Sequence, residues 1–467
     1  MQIPIVSGIY TDSAGDFRVS YPRNLVPVPK DQGISQGYLR PADGIVFQGA
    51  SPGIGRGGVN WGGVLYRVFG DKLCSVSSEG AVAEIGYVAN DGKPVTMTYS
   101  FTHLAIVSSE RLFLYDGSTL TEVNDPDLGN PLTVVWIQGY FMVTDGEFLI
   151  VNDLTDPFSI QTTKYGASEA DPDPVVSLLR LRNEVYALNR YTTEVFSNTG
   201  GANFPFAAVL GAEIQKGCIG THACTVFMDA IAFLGSGRNE PPAIWVGSNG
   251  GAVKVSTQEI DLILQNYTEV QLADAVLEVR SDKNHEHLFV HLPDQTLVFD
   301  GKASATMGRP IWFSLGSSLV GNSMWLCRYM VWAYDKWCVT HPTLSQVGYM
   351  TRDASSHWGE SIGWEFQTPI IYNQAAGGQI HSLELIALGG RAADGVNPTV
   401  WTSYSLDGVT WGRELPMSSG LRGDRSKRMI WHRQGAFRRF RIQKFRGTSA
   451  SQMSISAIDA AMEPLAW

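Results

Sequence analysis

Three histidines, His285, His287 and His291, are spaced so that an extended strand would carry all three on one face, with Phe289 among them. Neutral imidazoles in that arrangement are good ligands for zinc and related metals, which makes this the sharpest metal candidate in the chain. A closed site also needs further ligands and a carboxylate to orient the rings. Sequence spacing assigns neither, so the expectation is surface or cross-strand histidines with no metal and no other cofactor.

Three matches to G-x-S-x-G invite a serine-hydrolase reading: Gly33-Ile34-Ser35-Gln36-Gly37, Gly49-Ala50-Ser51-Pro52-Gly53 and Gly359-Glu360-Ser361-Ile362-Gly363. A nucleophile elbow sits between a strand and a helix, and none of the three does. Pro52 also has no N–H to offer an oxyanion, and Pro41 blocks a helix after Ser35. Ser405-Leu406-Asp407-Gly408-Val409-Thr410-Trp411 resembles the Asp-box hairpin of sialidase-type propellers. It is one residue short between Asp and Gly, however, and reads as a β-hairpin with a packed tryptophan. No pair of carboxylates has the spacing of a glycosidase acid and nucleophile. The glycine run from Gly53 to Gly58 leads into a strand and so is no dinucleotide loop. The chain therefore reads as a non-enzyme.

Charge is distributed unevenly. Eleven Lys or Arg between Arg413 and Arg446 face two acids, a local +9 in a chain of −10, which leaves the remainder at −19. Such a split suits a basic face that docks on an acidic partner or on a neighbouring copy. Within it, Arg428, Arg433, Arg438, Arg439 and Arg441 are the expected partner-binding residues. Only 17% of residues are charged, which favours an assembled protein over a free one.

The elements that would position these groups are short strands. Apolar cores begin near Tyr66, Leu104, Val134, Val176, Val226, Val276 and Met330, and the later spacings of roughly 40 to 55 residues match one four-stranded propeller blade. The fold class expected is all-β: a six- or seven-bladed β-propeller over 61–360, an extended arm over 1–60 that is rich in proline, and a carboxyl-terminal β-sandwich over 361–467. One helix is expected from about Thr257 to Tyr267, opened by a capping box of Ser256 and Glu259 and lying between blades. Cys74, Cys218, Cys224, Cys327 and Cys338 form no C-x-x-C pair and read as buried, reduced side chains. The amino end lacks a secretory pattern and no eighteen apolar residues follow one another, which points to cytosolic synthesis without a membrane span.

The order of local signatures resembles the tail hub proteins of short-tailed bacteriophages, also called packaged-DNA stabilization or head-completion proteins. The likeness rests on Gly37-Tyr38-Leu39-Arg40 with Gly44-Ile45, on Tyr66-Arg67-Val68, and on Gln215 through Gly220. It continues with the helix leading to His291-Leu292-Pro293 and Leu297 through Asp300, and with Tyr404-Ser405, Gly412-Arg413-Glu414, Trp431, Arg433 and Arg438-Arg439. Asp43 and Cys74 depart from it, standing where a proline and an aromatic residue are usual. The resemblance implies a structural virion-tail protein that assembles as a homo-hexamer ring below the portal and adaptor ring proteins. It also implies a lumen that DNA crosses without sequence-specific contact, retention of the packaged genome, and surfaces for tailspikes or fibres and for the tail needle or plug. The rival from another class is a carbohydrate-binding or glycoside-cleaving propeller, suggested by 13 tryptophans.

Overall fold

The computed structural model describes residues 2–3, 9–10, 19–30, 37–201, 203–373 and 377–465. Its strands form seven blade-like antiparallel sheets in succession, covering 55–87, 96–122, 133–167, 175–208, 217–254, 276–315 and 328–351. We number these blades 1 to 7. Each presents two apolar faces, because each is stacked between two others. Leu104, Ala105, Ile106 and Val107 are therefore all buried, unlike the alternating pattern of a strand wetted on one side. Val68, Leu73, Leu104, Ile106 and Phe113 share one such cluster between blades 1 and 2.

Blade 7 has only three strands of its own. Its fourth is Gly44–Ala50, which pairs with Gln346–Thr351 across about 300 residues of sequence and closes the ring of blades. Leu65, Phe69 and Cys74 of blade 1 then pack on Ala333, Cys338 and Val347 of blade 7. The fully buried Arg67 spans the same seam, donating to the carbonyls of Tyr329 (2.9 Å) and Cys338 (2.8 Å). Cys74 thus fills a seam in which a larger aromatic residue would have to displace its neighbours.

Two sheets packed face to face form the carboxyl-terminal module. One contains Gly363–Gln367, Phe440–Thr448, Thr399–Ser405 and Leu415–Ser418. The other orders Leu25–Pro29, Gly37–Pro41, Ser454–Glu463, Gly378–Leu388 and Met429–Phe437. Trp364, Phe366, Leu383, Trp431 and Phe445 fill the space between them, together with Leu25 and Leu39.

This pairing corrects the reading of 1–60 as an extended arm. Residues 25–29 form the edge strand of one sandwich sheet and 37–41 the strand beside it, 44–50 complete blade 7, and 55–61 begin blade 1. Residue 1 and the parts of that stretch in 4–8, 11–18 and 31–36 lie outside the described residues. Asp43 stands at the crossing point, fully enclosed, where Arg40 and Arg280 both bind its carboxylate. A proline there could make neither contact.

The expected helix is present but shorter, and a second helix follows it. The first, α1 (Gln258–Leu264), starts after Thr257 and buries Ile260 and Leu264. Ser256 does not cap it; its hydroxyl accepts from the Ile244 N–H (3.2 Å) and donates to Asp261 (2.6 Å). The capping box belongs instead to Thr268 and Gln271 at the start of α2 (Glu269–Ala273). A third helix, α3 (Gly301–Met307), is capped by Asp300 and ended by Gly308 at φ 65°. No helix among the described residues is long and apolar enough to cross a membrane.

Candidate functional site

The basic stretch is built into the sandwich, and folding divides it. Arg428 forms a two-pronged ion pair with Glu384 (2.8 and 2.6 Å), Arg446 pairs with Glu414, and Arg422 with Asp394 (2.8 Å). Arg441 is the clearest departure from expectation. It is 0% exposed, its guanidinium stacks on Tyr404 at 3.9 Å, and it donates to the Gln434 carbonyl and to the Gln443 side chain. Burial pulls its pKa down to about 10, and it cannot reach a partner. Arg433, Arg438 and Arg439 remain exposed. Arg438 and Arg439 form the turn between Met429–Phe437 and Phe440–Thr448, and Arg433 sits in a bulge of the first of these strands at φ 53°.

A second basic feature was not visible in sequence. An open cleft of about 590 Å³ lies where the propeller meets the sandwich, lined by Arg40, Arg352, Arg391 and Arg422 with Asp353. These residues come from four separate stretches of chain, so no local run of charge announced them. Behind the cleft, Asp43 and Asp282 hold Arg40, Arg280 and Arg352 in a partly buried network. Burial alone would raise the Asp43 carboxyl, but the charges of Arg280 and Arg40 outweigh it and hold the group well below the usual carboxylate range.

The histidines separate into two groups. His291 Nε2 lies 2.9 Å from Glu278 and its ring stacks on Phe289 and Trp325. His285 and His287 stack on each other and face Asp300, which lies directly across from His287 on the neighbouring strand. His285 Nδ1 makes a very short hydrogen bond to Asp300 Oδ2. His287 Nε2 stands 3.3 Å from the same oxygen without the geometry of a hydrogen bond and is buried with no other partner. Burial lowers the basicity of His287; burial would raise Asp300, but its contacts with His285 and His287 and the Ala303 N–H together outweigh that and keep the carboxyl well below its ordinary value.

The remaining motifs are not assembled into reactive sites. Ser51 Oγ donates to the Gly53 carbonyl at 2.8 Å, and the strand Gly363–Gln367, not a helix, follows Ser361. Ser35 lies outside the described residues. The Asp407 carboxylate accepts from the N–H groups of Val409 (2.9 Å) and Thr410 (2.8 Å), which makes it a turn-forming aspartate. Trp411 lies under Lys444 at 4.4 Å. All five cysteines are free and buried, as expected. Trp332 is the one tryptophan among the described residues that is more than about a third exposed, so the tryptophans build cores and blade seams more than they offer platforms for sugar rings.

Comparison with known proteins adds a second line of observation. Residues 1–355 match the family described as bacteriophage P22 Gp10, beta-propeller, and residues 363–463 match bacteriophage P22 Gp10, beta-sandwich. The tail hub protein gp10 of Salmonella phage P22 is 29% identical over 489 residues, spanning 99% of each chain. Among solved structures, the N-terminal domain of Nup159 aligns over 71% of this chain and 98% of its own, at 9% identity and a TM-score of 0.40. The Neurospora crassa Pan2 WD40 domain aligns over 64% and 88%, at 9% identity and a TM-score of 0.41.

Proposed function

Because the chain belongs to the family of bacteriophage P22 Gp10, through both its β-propeller and its β-sandwich, we propose that it is a structural tail hub protein of a short-tailed phage. In finer detail, six copies form a ring below the portal and its adaptor. The ring extends the DNA channel, holds the packaged genome without reading its sequence, and carries tailspikes or fibres and the tail needle. The observation that carries this reading is the end-to-end match to a tail hub protein, 99% of each chain. The architecture suits it: a ring of blades closed by a strand from near the amino end resists being pulled open, which a load-bearing hub requires.

The exposed basic turn and the arginine-lined cleft are the surfaces best suited to acidic partners, either a neighbouring copy or the adaptor. Ring contacts join different patches of identical subunits, and a basic patch meeting an acidic one gives such a contact its register. The double reversal R433E/R439E alters exposed side chains, so the melting temperature is expected to stay at the wild-type value. Association is expected to weaken roughly tenfold and to lose part of its salt dependence. Unchanged assembly and virion attachment would remove the basic turn from the model of the interface.

Light scattering on the full chain, alone and mixed with an adaptor-bound portal ring, tests the whole reading. A six-fold ring, or a monomer that becomes one on the adaptor, is the expected result. A persistent monomer that ignores the portal would overturn it and return the sugar-binding propeller to first place.

A further inference from the structure

We propose that His285, His287 and Asp300 form a structural zinc site inside blade 6. Each of the three offers a ligand atom within 4.8 Å of those of the other two, His285 Nδ1 and His287 Nε2 both face Asp300 Oδ2, and all three residues are buried. Two imidazoles and one carboxylate are a donor set that zinc takes readily. Ligands around a tetrahedral zinc at its usual bond lengths stand about 3.3 Å apart. The His287–Asp300 separation already has that value at 3.3 Å, and only the very short His285–Asp300 contact must open.

Two further observations point to an ion. His287 Nε2 is buried and aimed at the carboxylate without a hydrogen bond, a cost that a metal at this position would remove. Asp300 is also held ready by its other oxygen, which accepts from the Ala303 N–H of α3 at 3.1 Å, leaving Oδ2 to the histidines. His287 also lines a cavity of about 20 Å³, room for one water. Arg280, which lines the same cavity, is neutralised by Asp43. The ion would tie the first turn of α3 to the strand His285–His291.

The test uses the full chain, stripped with a chelator and titrated with zinc and with cobalt(II) as a spectroscopic substitute. One equivalent of cobalt should give the visible absorption of a four-coordinate site and be displaced by zinc, and zinc should raise the melting temperature. H287Q should weaken binding about 100-fold. H291Q, which alters the same strand outside the triad, should bind as wild type. Absence of a one-to-one cobalt spectrum in the wild-type protein overturns the proposal, as does H287Q binding as tightly as wild type. Should H287Q fail to fold, H285Q replaces it and the wild-type titration still decides.

Discussion

A chain lacking residues 1–50 is expected to be insoluble or to melt without cooperativity. If those residues were an arm wrapping another surface, their loss would spare the fold. Instead, Gly44–Ala50 supplies the outer strand of blade 7, and Leu25 and Leu39 sit at 1% and 0% exposure in the core of the sandwich. Val26, Ala42 and Ile45 are buried against Phe289, Phe313 and Trp325, where blades 6 and 7 meet. Removing one buried Leu or Ile side chain costs roughly 2–5 kcal/mol. Losing several together exceeds the roughly 5–15 kcal/mol by which a domain is stable. The deletion also bares the edge of Gln346–Thr351 to pairing with other chains. Soluble yield and a circular-dichroism melt measure this. A soluble, cooperatively melting deletion would restore the arm.

What the sequence made legible follows from how far apart in the chain the interacting groups lie. Blades read clearly because both faces are buried, which turns each central strand into a continuous apolar run, as in Leu104–Ser108. The sandwich read clearly through alternation: Leu383 and Leu385 are buried, whereas Ile386 is 44% exposed. The role of residues 25–29 and 37–50 did not, because the groups they pack and pair with lie hundreds of residues downstream, with Leu39 opposite Ile455 and Gly44 opposite Thr351. Pro27 and Pro29 argued for an arm, yet they occupy an edge strand, where the missing N–H is not needed for pairing.

Three tight turns were also hidden, since Ser109-Glu110, Met228-Asp229 and Tyr334-Asp335 adopt positive φ without any glycine to mark them. Asp300 could have been found beforehand. The turn around Leu292 to Gln295 sets His291 opposite Thr296, and the same register carries His287 to Asp300. Arg441 could not, because the groups that enclose it, Tyr404 and Gln434, come from other strands.

Acidification should loosen the junction of propeller and sandwich through His357. This residue is 1% exposed, its Nδ1 lies 2.8 Å from the Ser317 hydroxyl, and its ring meets the edge of Trp325. Its backbone bridges to Ile45 of blade 7 and to Glu360, in the short segment that leads into the first sandwich strand. Burial lowers its pKa from 6.5 to about 4, because a charged imidazole there would lose its hydration without gaining an anion. The folded state therefore binds this proton less readily than the unfolded chain does. The contribution of His357 is complete above about pH 6.5, falls as the pH drops, and levels off near pH 4. One pKa unit corresponds to about 1.4 kcal/mol, so a shift of this size removes about 3 kcal/mol across that window. Denaturant titrations from pH 7 to pH 4 should show that loss superimposed on the other titrations of the protein. H357N should be less stable at pH 7, where it forfeits the native packing, and its profile should be flatter by about 3 kcal/mol, because a side chain that cannot titrate has nothing to lose on acidification. Parallel profiles for the two proteins would mean that His357 takes up its proton without opening the junction, and that water reaches the imidazole despite its burial.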